Sequence, residues 1–252
     1  SVRREKTKSL NKGMKSFRKF IVEESNDSVE QYFREFEDAV SSTHKRFDEN
    51  GHTFFIPLKF GDKPNKLVAS NLQGDEPAGP VGLLKYVKEN KPTEVNVTYL
   101  PIVSKESYRS GKHNDDSDIN PNNNIPNNPS REMKRLLDIL DRWLPLARDG
   151  FVDLHEDPNR DEGYMFVWSD SEGLGDRMVN IIGKKYSLLH NPFSPNHAFN
   201  GKIEKDQQGM LGDYLATIGV KPSMTTETPA GGGFPLAERA DVQVQLLKEF
   251  LK

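Results

Sequence analysis

Short apolar runs alternate with longer helical patterns along this chain. Four runs are rich in β-branched and aromatic residues and have polar turns at their ends, which predicts strands; they read HTFFIPLKF, KLVASNL, TEVNVTYLPIVS and FVDLH. Segments such as PVGLLKYVKEN and the closing PLAERADVQVQLLKEFLK instead place apolar residues at helical spacing. This alternation predicts an α/β fold with a mixed, largely parallel twisted sheet sandwiched by helices.

Three finer predictions concern the first half of the chain. From Ser28 onward, Val29, Phe33, Phe36, Val40 and Phe47 fall mostly on one helical face, so we expect a helix that Gly51 stops. The first two strands, HTFFIPLKF and KLVASNL, are joined by a GDKPN turn and can pair as a hairpin. The polar tract over residues 104–129 predicts a long loop, either functional or disordered.

The length of 252 residues suits one large domain. We expect residues 1–27 to form a basic arm and linker, and residues 28–252 to form a single catalytic domain. We also expect the protein to be a monomer.

Composition narrows the classes of partner. A net charge of -3 gives no basic field for nucleic acid, and no apolar run reaches the roughly 18 residues that a membrane span needs. The absence of cysteine excludes disulfides, a thiolate zinc site and a cysteine nucleophile. These observations favour a small-molecule partner and leave the cellular compartment open.

Metal-ligating residue types follow three of the predicted strands, in LQGDE, DLHED and TETPAGGG. Carboxyl ends of strands meet at one edge of an open α/β sheet, so these residues can share a site. Gln73, Glu76 and His155 would supply three ligands and leave a position for water, as in a catalytic zinc site. Glu227 is then the candidate general base, and Asp153 is a candidate partner for the His155 ring.

Four motifs together carry a family resemblance: GDEPAG, GKHNDDSDIN, VDLHEDPNRDEGY and TTETPAGGGFPLAER. Over about residues 60–252 the chain resembles zinc carboxypeptidases of the branch that includes succinylglutamate desuccinylase and aspartoacylase. The resemblance implies that Glu76 and His155 bind zinc and that Glu227 is the catalytic glutamate. Gln73 stands where that family usually has histidine, a replacement known in its peptidoglycan D,L-carboxypeptidase branch.

The chain departs from this family at two arginine positions, which here hold His113 and Pro121. The family arginines polarise the scissile carbonyl and, with the retained Asn120, bind a substrate carboxylate. We therefore expect His113 to donate to an oxyanion, and Arg109 or Lys112 to substitute for the missing charge.

The resemblance implies a zinc-dependent amide hydrolase. Its expected substrates are a small peptide, above all a peptidoglycan peptide, or an N-acyl amino acid. The alternative is a catalytically weak or inactive relative that binds peptides or sugars, which the departures at Gln73, His113 and Pro121 motivate.

Overall fold

A computed structural model describes residues 27–92, 94–114, 118–125, 127–191, 198–204 and 209–252. The basic arm predicted at the start of the chain lies almost entirely outside the described residues. Within them, the helices are α1 (Asp27–Val40), α2 (Ala78–Glu89), α3 (Lys105–Ser110), α4 (Arg131–Asp138), α5 (Leu140–Ala147), α6 (Leu174–Gly183), α7 (Leu211–Thr217) and α8 (Leu236–Phe250). The strands are β1 (His44–Glu49), β2 (His52–Pro57), β3 (Asn65–Ser70), β4 (Asn96–Leu100), β5 (Phe151–Asp157), β6 (Tyr164–Ser169), β7 (Ala198–Phe199), β8 (Lys202–Glu204) and β9 (Ser223–Pro229).

All the described strands join one sheet in the order β1-β2-β4-β3-β5-β9-β6-β8-β7. The four central strands, β4, β3, β5 and β9, are parallel. Antiparallel pairs extend the sheet on both sides, through β2 and β1 on one and β6 on the other. The predicted α/β class, with a mixed and largely parallel sheet between helices, is confirmed.

Alternation along the strands divides the core into two layers. Val68 and Val152 face one side, where they pack with apolar residues of α1, α2, α6 and α8. Their neighbours Leu67 and Phe151 face the other side and pack with α4, α5 and α7. Because side chains alternate with period two, Asp153 and His155 lie on the same face as Phe151. This geometry directs His155 toward the α7 side of the sheet.

The prediction of one helix from Ser28 to Gly51 is wrong beyond Val40. Helix α1 ends there, and its apolar face is buried as expected, but Phe47 lies in β1 and is 42% exposed. Residues 44–57 form a hairpin instead of continuing the helix, because Asn50 and Gly51 make a tight turn between β1 and β2, with φ angles of 46° and 89°. Asn-Gly is the preferred sequence for such a hairpin turn.

Two further predictions about the first half are corrected. Strand β2 does not pair with β3, because β4 lies between them and bonds to both. The polar tract after β4 is also not all loop, since α3 begins within it, capped by the Ser104 side chain that accepts from Ser107 N.

None of the helices in the described part of the chain has the length and apolar character needed to span a membrane.

Candidate active site

The three polar segments singled out in the sequence meet at one edge of the sheet. Gln73 and Glu76 lie in the turn between β3 and α2, and β3 is the parallel neighbour of β5. His155 lies in β5 directly opposite Glu227 of β9. The prediction that these strand ends converge is confirmed.

Glu76 and His155 form the buried centre of the site. The Oε2 atom of Glu76 lies 2.7 Å from Nδ1 of His155, and the two side chains are only 3% and 2% exposed. The same carboxylate oxygen accepts from the backbone N–H of Glu156, at 3.2 Å. On the far side of the ring, Nε2 lies 2.8 Å from Oδ2 of Asp153, which is the contact expected from the sequence. The ring orientation is therefore fixed from both sides.

The carboxylates of Glu76 and Asp153 both contact the His155 imidazole, and this arrangement shifts the pKa of the ring. Burial lowers the pKa of His155, but Asp153 and then Glu76 more than offset it, so its pKa is raised well above the usual value. Burial raises the pKa of Glu76, and the attraction of His155 only partly opposes this rise.

Gln73 extends the site toward the loop after α3. Its side chain is buried, and Nε2 donates to Oδ1 of Asn120 at 3.0 Å and lies 3.1 Å from Nε2 of His113. Its Oε1 atom is buried and has no hydrogen-bond partner. A buried polar atom without a partner costs free energy, so this oxygen is a candidate ligand atom.

His113 is placed beside Glu76 by a short turn whose backbone is held by Gly74. The N–H of Gly74 donates to the carbonyl of Lys112 at 2.8 Å. Nδ1 of His113 lies 3.2 Å from Oδ1 of Asp75 and 3.8 Å from Oε1 of Glu76. The hydrogen bond to Asp75 raises the pKa of His113, whose side chain is 42% exposed.

Glu227 stands at the rim of the buried centre. It is 7% exposed, and burial raises its pKa well above the usual range, as do the negative charges of Glu76 and Asp157. Tyr164 lies opposite Glu227 on β6 and donates its hydroxyl to Asp157 at 2.8 Å. A raised pKa suits a carboxylate that must take up and release a proton.

Three substrate-binding residues were predicted, and of their side chains the structure brings that of Asn120 into contact with the site. Its Nδ2 lies 3.2 Å from Nε2 of His113. Lys112 reaches the site through its backbone carbonyl, while its side chain is exposed. Arg109 lies on α3, and its Nε is buried without a hydrogen-bond partner.

Sequence reasoning missed three residues of the site, Asp75, Asn122 and Gln243. Asn122 is 3% exposed; its Nδ2 lies 3.3 Å from Nε2 of His155, and its Oδ1 accepts from Leu211 N at 2.9 Å. Gln243 of α8 is fully buried and donates to the carbonyl of His155 at 2.9 Å. Only Gln243 carried a signal, as a polar residue within the apolar pattern of the closing helix.

Glu156 points to the opposite side of β5 and joins two helices beneath the site. Its Oε2 accepts from Ala78 N at the start of α2 at 2.6 Å, and its Oε1 pairs with Arg239 of α8. Burial raises the pKa of this carboxyl to about 7, although Arg239 opposes the shift. Glu156 thereby anchors the helix that follows Glu76.

Comparison with solved structures identifies the fold. A "putative metallopeptidase" from Shewanella denitrificans aligns with a TM-score of 0.80 and 22% identity, over 90% of each chain. A metallo-carboxypeptidase from Burkholderia cenocepacia aligns with a TM-score of 0.63 and 14% identity, over 89% of this chain and 68% of that one. The chain has the metallocarboxypeptidase-like fold.

A third structure with this metallocarboxypeptidase-like fold is a succinylglutamate desuccinylase from a Silicibacter species. It aligns with a TM-score of 0.54 and 18% identity, over 79% of this chain and 59% of that one. No protein-family model matches the sequence, and no curated protein matches it.

The residues at this edge of the metallocarboxypeptidase-like fold suit a divalent metal ion. Ligand atoms of Asp75, Glu76 and His113 lie within 4.8 Å of one another, and His155 Nδ1 contacts the same Glu76 carboxylate. The unpartnered Oε1 of Gln73 adds a neutral oxygen. Imidazole nitrogens and a carboxylate are the donor set typical of zinc.

Proposed function

We propose that this protein is a zinc-dependent amide hydrolase, with the metal held by Gln73, Glu76 and His155. One observation carries the proposal: Glu76 Oε2 and His155 Nδ1 lie 2.7 Å apart in a buried centre, and Glu227 is the strand neighbour of that histidine. Names of structural neighbours, metallo-carboxypeptidase and succinylglutamate desuccinylase, support the same reaction class.

Each residue of the proposed site has its own role in the hydrolysis. A bound zinc ion supplies the positive charge that polarises a carbonyl and acidifies a water molecule. Glu227 accepts the proton of the attacking water and passes it to the departing amine nitrogen. Asp153 and Asn122 hold the His155 ring from the other side, which keeps Nδ1 directed at Glu76.

Burial raises the pKa of Glu227, which suits this residue to proton transfer. Its raised pKa means that the carboxylate binds a proton more readily than a solvent-exposed glutamate does. Tyr164 is the cross-strand neighbour of Glu227 on β6, and its hydroxyl donates to Asp157 at 2.8 Å.

We propose an amide bond next to a carboxylate-bearing residue as the substrate, in a small peptide or an N-acyl amino acid. A peptidoglycan peptide is favoured because Gln73 matches the replacement in that branch of the resembling family. Arg109, Lys112 and Asn120 stay predictions as substrate-binding residues.

The competing candidate is a relative that binds peptides or sugars without hydrolysing them. The observation in its favour is that Glu76 and His155 contact each other directly, at 2.7 Å.

The test uses zinc-loaded protein and a panel of N-succinyl amino acids, peptidoglycan peptides and unmodified dipeptides. We expect hydrolysis of at least one class, and a loss of roughly 10³-fold in kcat for Glu227→Gln with unchanged zinc content. Glu204→Gln, which alters an exposed carboxylate on β8, is the matched control. A zinc-containing wild type that hydrolyses none of the panel but binds one of its members would favour the binding protein.

A further inference from the structure

We infer that His113 is a ligand of the same metal ion, the second imidazole of the site, and not mainly an oxyanion donor. The inference rests on the proposed function, because it concerns the metal that Glu76 and His155 would hold. It gives a role to His113, which occupies a position where the family that this sequence resembles has arginine.

The Glu76 carboxylate lies between two imidazoles that present the same ring nitrogen to it. Oε2 lies 2.7 Å from Nδ1 of His155, and Oε1 lies 3.8 Å from Nδ1 of His113. Together the three side chains form a two-histidine, one-glutamate set, which is a donor set of catalytic zinc sites.

The neutral side chain of Gln73 is a weak metal ligand, so a further nitrogen ligand would strengthen metal binding at this site. Zinc prefers imidazole to an amide carbonyl, so Gln73 ranks as the weakest of the four donors. Its amide lies 3.1 Å from His113, and its buried Oε1 has no partner, which points to a cation at this place. Without such a partner, the Oε1 atom of the buried Gln73 side chain stays unsatisfied.

Binding a metal through Nδ1 would change the hydrogen bonds around His113. A ligand at Nδ1 requires the ring proton on Nε2. The Asn120 amide nitrogen lies 3.2 Å from Nε2, so turning the amide to present its oxygen there would release the hydrogen bonds that this oxygen accepts from Gln73 Nε2 and Asn122 N. Asp75, which contacts Nδ1 at 3.2 Å, then becomes free to provide further negative charge near the metal.

The test measures zinc affinity by competition with a chromophoric chelator, with zinc alone as the ligand. We expect His113→Ala and His113→Asn to weaken zinc binding by more than about 100-fold, beyond the 10- to 100-fold cost of losing an outer partner. The asparagine variant can still hydrogen-bond to Asp75, so it separates ligation from hydrogen bonding. Gln73→Ala should weaken binding less than either variant does.

The control is His190→Ala, which removes an exposed histidine distant in sequence and should leave zinc affinity unchanged. X-ray absorption on the zinc-loaded protein should give scattering from two imidazoles in the wild type and from one in His113→Ala. Wild-type affinity in His113→Asn, or a single imidazole in the wild type, would overturn the inference.

The outcomes separate this inference from the proposed function. If zinc binds the wild type and is lost in Glu76→Ala but not in either His113 variant, the ligand role of His113 fails and the hydrolase proposal stands. If the wild type binds no zinc, both proposals fail together.

Discussion

At the scale of single residues, the site depends on how each imidazole is surrounded. His155 lies between Asp153 and Glu76 and is almost fully buried, so both of its ring nitrogens are committed. His113 is half-exposed and faces Asp75. A third histidine, His52, is buried, and its pKa is shifted in the opposite direction from those of His155 and His113.

His52 should make the protein sensitive to mild acid. Burial lowers its pKa to about 4, and its Nε2 lies 3.1 Å from the carbonyl of Glu132. Between pH 6.5 and 4 the unfolded chain binds a proton at this residue that the folded chain does not, so the free energy of unfolding falls as the pH falls. The loss at His52 should be about 2 kcal/mol from pH 7 to pH 5.

Urea unfolding at pH 7 and pH 5 measures this contribution. His52→Gln retains an amide that can donate to the Glu132 carbonyl but removes the titration, so its stability should fall by about 2 kcal/mol less than that of the wild type. The same pH dependence in both proteins would show that His52 is not the group responsible.

At the scale of elements, the turn from β3 into α2 brings the metal-ligating residues to the loop after α3. Gly74 is the closest point, because a Cβ atom there would overlap the carbonyl oxygen of Ser107. Only glycine lets the two backbones approach in this way. The Gly74 N–H to Lys112 O hydrogen bond then sets His113 beside Glu76.

Gly74→Ala should therefore damage both the fold and the metal site. Separation of the turn from α3 should lower the free energy of unfolding by about 3 kcal/mol, as for overpacking of a tight interior. It should also weaken zinc binding, because His113 moves with the loop. Gly61→Ala is the matched control, since its added Cβ would meet only the Lys63 side chain at 3.7 Å or more. Equal stability of the two variants would contradict this account of the turn.

The wrong prediction at this scale concerns the end of helix α1. Helical spacing of Val29, Phe33, Phe36 and Val40 was enough to place α1, but Phe47 matched the same spacing by chance. The local signal that decided the matter was Asn50-Gly51, whose turn chemistry outweighs a single apolar match.

At the scale of the whole molecule, the alternation of strands and helices was sufficient to predict the sheet and the edge where its polar segments meet. Pairing of β2 with β4 could not be predicted, because strand order depends on contacts between segments distant in sequence. Asn122 was missed for a related reason: it lies in an Asn-rich tract, and only the packing of α7 shows which of those asparagines reaches His155.

The central claim is that the edge shared by β3, β5 and β9 holds one zinc ion. The most direct measurement is elemental analysis of protein purified without chelator, offered zinc and then desalted, beside Glu76→Ala treated identically. The account predicts about one zinc per chain in the wild type and essentially none in Glu76→Ala. No zinc in the wild type, or equal zinc in both proteins, would contradict it.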